Sequence, residues 1–369
     1  MRIFIAMSLI LTMMGAVAPP AHSEAAAERA AVTVRRVDFK GWPGCALISN
    51  GIVEALVAPA IGRIMAFQFV GDPASSPLWV NPTLVGETAA AVGKGQWANF
   101  GGDKLWPSPQ SDWPRYIGRS FPPDPAFDGE PETLDVIPGG VRLTTPPSAA
   151  FGVQASRVIT MRSGQARLYI SQTLRRLPDP SQPARGRRLG IWSVTQTRED
   201  GMLFLPLAGP ASKEVVTFDT NGRPSGHGPL PPHWTTTDHA LIGRHDAKES
   251  SKIGTHSTAG WVASLYDGTT LFSERYVNQP GKTYPDEGCR AEVWSNADPG
   301  GYLELELLGP LEEMYPGEEM RYGICWQLDR LSRAPKSDAQ ALAMVRACIN
   351  RALRVSKAGP AESPRPART

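Results

Sequence analysis

The chain has 369 residues, with 38 basic against 36 acidic side chains and a formal net charge of +2. A balance this even, with no internal block of like charge, argues against a nucleic-acid footprint and a polybasic membrane patch. Ten tryptophans and 36 glycines fit a β-rich, ligand-binding protein better than a helical one.

The N-terminus reads as a signal peptide over residues 1–23. Arg2 is the positive start, Ile3 to Val17 the apolar stretch, and Ala21-His22-Ser23 the small-residue cleavage site. Cleavage after Ser23 predicts a periplasmic or secreted protein. No later apolar run is long enough to span a membrane. Export would place Cys45, Cys289, Cys325 and Cys348 in an oxidising compartment. Four cysteines admit three pairings. Cys325–Cys348 is the favoured one, because it would staple a C-terminal helix to the last strand. The spacing does not suggest a zinc site, and neither metal nor cofactor is expected.

Val32 to Phe39 reads as a first strand. Two apolar runs, Cys45 to Ser49 and Ile52 to Val57, flank Asn50-Gly51, a strong hairpin signal. In the next strand, Ile61 to Val70, regular alternation puts Arg63 on one face with Ile61, Met65 and Phe67. A buried charge there needs a carboxylate or a ligand. Residues 71–130 are dense in Pro, Gly, Asn and Asp but hold Trp79, Trp97, Trp106 and Trp113. They read as loops folded over a sheet to form one wall of a cleft.

Within that region, Asn99-Phe100-Gly101-Gly102-Asp103-Lys104-Leu105-Trp106-Pro107-Ser108-Pro109-Gln110 reads as a rigid loop. The glycines open unusual backbone shapes and the prolines stiffen the exit. It would display Asp103, Lys104 and Trp106. An indole beside fixed hydrogen-bonding groups suits a sugar ring, whose C–H face stacks while its hydroxyls take directional bonds. A structural loop with Trp106 filling a core is the alternative.

Short strand-like runs follow at Leu134–Ile137, Val141–Thr144, Ser156–Met161, Arg167–Leu174, Leu189–Thr197 and Met202–Leu207. Such spacing predicts a sandwich or barrel. A second loop region, Asn221 to Lys252, holds four histidines, with His256 just beyond. Their spacing makes no obvious metal site, but one of them could line a cleft as an acid or base. Further strands are expected at Trp261–Tyr266, Thr270–Val277 and Cys289–Trp294. Tyr302–Leu308 is the clearest of all: Leu303, Leu305 and Leu307 take one face, and Tyr302, Glu304 and Glu306 the other. The last strand is Arg321–Leu328. An amphipathic helix is predicted over 337–355, with Ala341, Met344, Val345, Cys348 and Leu353 near helical period, and then a disordered tail over 356–369.

Four stretches together, "NGIVEALVAPAIGRIMAF", "NFGGDKLWPSPQ", "GWVASLYDGTTLFSERY" and "LELELLGPLEEMYPGEEM", resemble an uncharacterised bacterial domain family of the galactose-mutarotase-like (aldose 1-epimerase-like) superfamily. The resemblance implies an all-β fold, a β-supersandwich of antiparallel strands over residues 32–330 followed by the C-terminal helix, and a sugar-sized cleft. Mutarotases use a general base on the anomeric hydroxyl and a general acid on the ring oxygen. The superfamily base is a glutamate on a late strand before a proline-glycine turn. Glu306 matches that place best, with Glu304 two positions away on the same face. True mutarotases carry an asparagine-histidine-aromatic motif on a mid-chain strand. The segment in that place, Trp192-Ser193-Val194-Thr195-Gln196-Thr197, has no histidine. Gln196 could hold a hydroxyl but not donate a proton as an acid, so Lys252 or His256 would have to serve.

The expected cleft is therefore lined by the Asn99–Gln110 loop, the Leu189–Thr197 strand, a Ser251–Thr255 loop, and Glu304 or Glu306. Arg63, Asn99, Gly102, Asp103, Lys104, Trp106, Gln110, Trp192, Gln196 and Lys252 are the expected contacts to a small carbohydrate or oligosaccharide. Glu306, Glu304 and His256 are the expected catalytic groups. One reading is an exported epimerase or other isomerase. The other is a noncatalytic carbohydrate-binding module, with an envelope structural protein as a third possibility.

Overall fold

The computed structural model describes residues 31–93, 95–178, 186–220, 222–237, 239–297 and 300–357, with side chains to 351. The expected signal peptide, and the expected tail beyond 357, lie outside these residues. Twenty-one strands follow in order: β1 (Thr33–Phe39), β2 (Trp42–Ser49), β3 (Val53–Ala58), β4 (Arg63–Phe69), β5 (Asp103–Ser108), β6 (Thr133–Ile137), β7 (Gly140–Thr144), β8 (Val153–Thr160), β9 (Arg167–Arg176), β10 (Arg187–Arg198), β11 (Met202–Pro206), β12 (Val215–Thr217), β13 (Trp234–Thr236), β14 (Ala240–Gly243), β15 (Ser251–Thr255), β16 (Trp261–Tyr266), β17 (Thr270–Tyr276), β18 (Ala291–Asn296), β19 (Tyr302–Leu308), β20 (Glu312–Met314) and β21 (Glu319–Arg330). The helices are α1 (Trp113–Ile117), α2 (Ala211–Glu214) and α3 (Asp338–Lys357).

The strands form two sheets. The first runs β1-β2-β3-β4-β5-β10-β19-β18-β15-β12, with β20 beside β10. The second runs β13-β14-β11-β16-β17-β21-β9-β8-β7-β6. The pairings at the centre of both are antiparallel. Their inner faces share one core, in which Leu303, Leu305 and Leu307 of β19 meet Phe272, Trp326 and Leu328 of the second sheet. The two-residue period of β19 thus decides what faces outward: Glu304 and Glu306, on the side away from that core.

Two smaller clusters cover outer faces. Ala341, Val345, Cys348 and Ile349 of α3 pack on Phe204, Ile242, Trp261 and Leu271 of the second sheet. These positions recur near 3.6 residues, as one apolar stripe should. The helix continues to Lys357, two residues into the expected tail. Trp42, Leu56, Met65 and Phe100 form the other cluster, over β2–β4.

Several expectations need correction. The regions read as long loops contain β5, β13 and β14, and Ser251–Thr255 is strand β15. Regular alternation along β4 fails, because Leu56 pairs with Ala66 but Val57 with Ile64. Met65 is the extra residue of a bulge, so Ile64 and Phe67 both enter the main core while Met65 does not. The Cys325–Cys348 bond is absent, and all four cysteines are free thiols. Cys348 sits in the cluster under α3, in which Cys325 takes no part. Titrating denatured, unreduced protein with a thiol reagent should therefore count four thiols per chain rather than two.

A charged tie crosses the sandwich. Arg157 of β8 lies 3.0 Å from Asp103 Oδ1 on the opposite sheet, and it also donates to the Gly62 carbonyl. Ser193 and Thr195 of β10 donate to Asp103 Oδ2 at 3.3 and 3.2 Å. Glu132 stands 3.6 Å from the same guanidinium. Burial pushes the Glu132 carboxyl up to about 7, against the pull of Arg157 and Arg63. The native state therefore keeps a proton that the unfolded chain, near 4.5, has released. Stability from this group is complete below pH 4.5 and is lost as pH rises to about 7. Glu132→Gln should flatten the pH dependence of denaturant midpoints over that window, removing a slope worth about 3 kcal/mol.

Candidate functional site

The stretch read as a display loop is the strand that builds the site. Gly101 and Gly102 take φ of 89° and 69°. A Cβ at Gly101 would lie 2.2 Å from the Trp79 carbonyl oxygen, and one at Gly102 2.4 Å from that of Ile64. Only glycine lets the chain turn that close to its neighbours. The chain then pairs with β10 from Asp103↔Thr195 to Ser108↔Gly190. Its contact with β4 is a single pair, Ile64↔Asp103. From Lys104 onward one side of β5 therefore lacks a strand partner, which is where a sheet tolerates Pro107.

Alternation then sorts the residues. Asp103 and Leu105 face the inter-sheet core; Lys104 and Trp106 face outward. Asp103 is fully buried on the Arg157 tie, so it is not a ligand contact. Cross-strand register lays two rows over the outer face: Lys104, Val194, Glu306 and Glu292, then Gln196, Glu304, Trp294 and Lys252. Trp106 pairs with Trp192 alongside. Residues 200 positions apart in the chain thus become neighbours.

Around these rows lies a cavity of about 490 Å³, walled by Trp97, Trp106, Trp192 and Trp294, by Phe121 and Tyr302, and by Gln110, Lys252, Glu304 and Glu306. Among the described residues, no histidine lines it. Lys104 Nζ lies 3.3 Å from Glu304 Oε1 and over the rings of Trp106 and Trp97, at 4.8 and 5.5 Å from their centroids. Gln196 Nε2 donates to the same Glu304 oxygen at 3.0 Å. Burial raises the Glu304 carboxyl and lowers the Lys104 ammonium, with each partner's charge opposing the shift. The two can share one proton.

Glu306 is held differently. Its Oε2 accepts from Trp192 Nε1 and from Lys252 Nζ, both at 2.9 Å. Lys252 also pairs with Glu292 at 2.6 Å and lies over the Trp192 ring at 4.7 Å. Burial would lower Lys252, but Glu292, Glu306 and Asp286 overcome it and raise the ammonium above its ordinary value. Lys252 is thus a fixed cation, while Lys104 is a labile one. Burial drives the Glu292 carboxyl well up, against the pull of the Lys252 ammonium.

Beneath the tryptophans sits a carboxylate that the sequence reading did not single out. Asp128 Oδ2 accepts from Trp97 Nε1 at 3.1 Å and Trp106 Nε1 at 3.0 Å, and its Oδ1 pairs with Arg63. Arg63 is therefore a structural partner and not a ligand contact. Gly102 gives its carbonyl to the Gln196 amide, and the Asn99 carbonyl accepts from Asn81; neither residue walls the cavity. Gln196 is fully buried behind Glu304. His256 lies outside the cavity wall, 5.8 Å from the His227 ring, with burial lowering its imidazole. The expected residues brought to the cavity are Lys252, Trp106, Gln110, Trp192, Glu304 and Glu306, with Lys104 paired to Glu304 at its floor. Trp97 and Trp294 are additions to the wall, while Glu292 is fully buried against Lys252 and does not line it. Trp294 and Glu292 share an outward face of β18, a signal that alternation along Ala291–Asn296 already carried.

A family model described as a domain of unknown function (DUF4380) matches residues 46–329. The chain belongs to that family. Among curated proteins none matches its sequence. A galactose mutarotase-like protein from Lactobacillus casei superposes with a TM-score of 0.53 at 10% identity, covering 77% of this chain and 100% of its own. A candidate aldose 1-epimerase from Klebsiella pneumoniae gives 0.52 at 11%, covering 86% and 87%. A candidate mutarotase from Salmonella typhimurium gives 0.50 at 11%, covering 82% and 94%. This DUF4380 chain therefore has the galactose mutarotase-like fold.

In this DUF4380 protein, Asp128 joins core to cavity. Asp128→Ala would leave the Arg63 guanidinium buried without its partner, a loss of about 3–5 kcal/mol. Chemical denaturation should show that loss, and the emission of Trp97 and Trp106 should shift as their indoles lose a common acceptor.

Proposed function

We propose that the protein is an exported carbohydrate-binding protein whose cleft interconverts sugar anomers by general acid–base catalysis. The observation that supports this most is the difference between two carboxyl groups in one aromatic cavity. Glu306 has one oxygen occupied by Trp192 and Lys252. Among the described residues no protein donor meets its Oε1, which leaves that oxygen for a ligand hydroxyl. Glu304 instead meets Lys104 and Gln196 at one oxygen, and burial raises its carboxyl. Two carboxyl groups held by different partners in one cavity can serve as base and acid.

In this reading the tryptophans stack the sugar face. Glu306 takes the anomeric hydroxyl proton, the bond from the anomeric carbon to the ring oxygen breaks, and Glu304 gives its proton to that oxygen. Lys104 and Gln196 hold Glu304 in place. Rotation of the open-chain aldehyde and reversal of the same transfers close the other anomer. The Glu304–Lys104 pair supplies the acid that the sequence lacks at Gln196.

A noncatalytic binding module is the second reading, favoured by the same missing histidine. Glu306→Gln separates the two. Lys252 keeps Glu292 in the variant, so the site should stay folded. Anomer exchange on D-glucose and D-galactose, followed by saturation-transfer NMR above the spontaneous rate, should fall by about 10²–10⁴-fold while binding persists. Wild-type protein that binds sugar without accelerating exchange would leave the module reading.

A further inference from the structure

The principal cavity does not end at Lys252. A second chamber of about 360 Å³ shares Gln110 and Lys252 with it and is walled by Ser111, Ser120, Arg223 and Asp286. A third recess of about 560 Å³ shares Thr220, Trp294 and Lys252. Each is in the range that holds a small ligand by itself, about 300–1,000 Å³. All three spaces adjoin at Lys252, which lines each of them.

We propose that these adjoining spaces bind a saccharide chain of at least two linked rings, with Asp286 contacting the second ring. The proposal rests on the carbohydrate reading above and goes further in naming the substrate class. The first chamber offers indole rings that stack a pyranose face; the second sets Gln110, Ser111, Arg223 and Asp286, which can bond sugar hydroxyls, beside Pro114 and Pro224.

The turn that delivers Asp286 is itself unusual. Asp286 and Glu287 hold φ of 48° and 57°, followed by Gly288 at 99°. Consecutive non-glycine residues in the left-handed region are costly and persist where the surroundings enforce them, most often at functional sites. Here the turn sets the Asp286 carboxyl, largely buried, in the field of Lys252, Glu306 and Glu292. A pocket for one free sugar has no need of that group, since Glu304 and Glu306 already serve the first chamber.

Calorimetry on the full chain tests this with glucose, galactose, maltotriose, cellotriose and β-1,4-galactotriose. At least one trisaccharide should bind about tenfold or more tighter than its monosaccharide. Ser111→Trp and Ser120→Trp, at exposed positions, fill the second chamber. Each should bring trisaccharide affinity down to that of the monosaccharide and leave monosaccharide binding unchanged, which also reports that the variants fold. Asp286→Asn should weaken the trisaccharide more than the monosaccharide. Equal affinity for one and three rings, or indifference to both tryptophan variants, overturns the proposal while the carbohydrate reading stands. Wild-type protein that binds none of the five sinks the carbohydrate reading and the proposal together.

Discussion

The structure hinges on one buried ion pair, Arg157 with Asp103. It links the two sheets across a core that is mostly apolar but also buries Glu274 and Gln172. Its importance is positional. Asp103 and Lys104 are adjacent on β5, so fixing the first side chain inward fixes the second outward. A one-residue slip would carry Lys104 and Trp106 into the core and Asp103 and Leu105 into the cavity. Breaking such a pair leaves a charge in the dry interior, which is strongly destabilising. The tie therefore selects register as well as supporting the sandwich, and the cavity inherits its geometry from it.

On the outer face the same sheet places ionisable side chains in nearest-neighbour rows. Buried charges of one sign would repel one another, so each lysine on this face stands against glutamates: Lys104 beside Glu304, Lys252 between Glu306 and Glu292. The two lysines are not equivalent. Lys104 has one carboxylate and is lowered by burial; Lys252 has two, with Asp286 near, and is raised. One lysine becomes a partner in proton sharing and the other a permanent charge. Both differences come from how many carboxylates the strand register delivers to each nitrogen.

Much of this was legible along the chain. The β19 pattern fixed which side of the strand holds the glutamates, and α3 showed its stripe. What failed has local causes. Gly101-Gly102 and Pro107-Ser108-Pro109 look like breakers, yet β5 tolerates proline because it lacks a continuous partner on one side. Met65 forms a bulge that no alternation rule foresees, and it broke the shared face assigned to Arg63. Asp128 sits in a proline- and glycine-rich segment with no period to read, although it anchors two walls of the cavity. Its role exists only when chain segments separated by 65, 31 and 22 positions converge. The sequence separation that makes the site also hides it.

The Gln196 position shows what the fold does and does not hold constant. Its strand keeps the register that lays a side chain against Glu304, and the amide donates there at 3.0 Å. An amide can orient a carboxyl group but cannot carry its proton away. Whatever proton traffic this face supports must therefore pass through groups already in the rows, and Glu304 with Lys104 is the pair whose buried environment brings a carboxyl and an amine toward a common range. Burial and the count of neighbouring charges set how tightly each of these groups holds a proton.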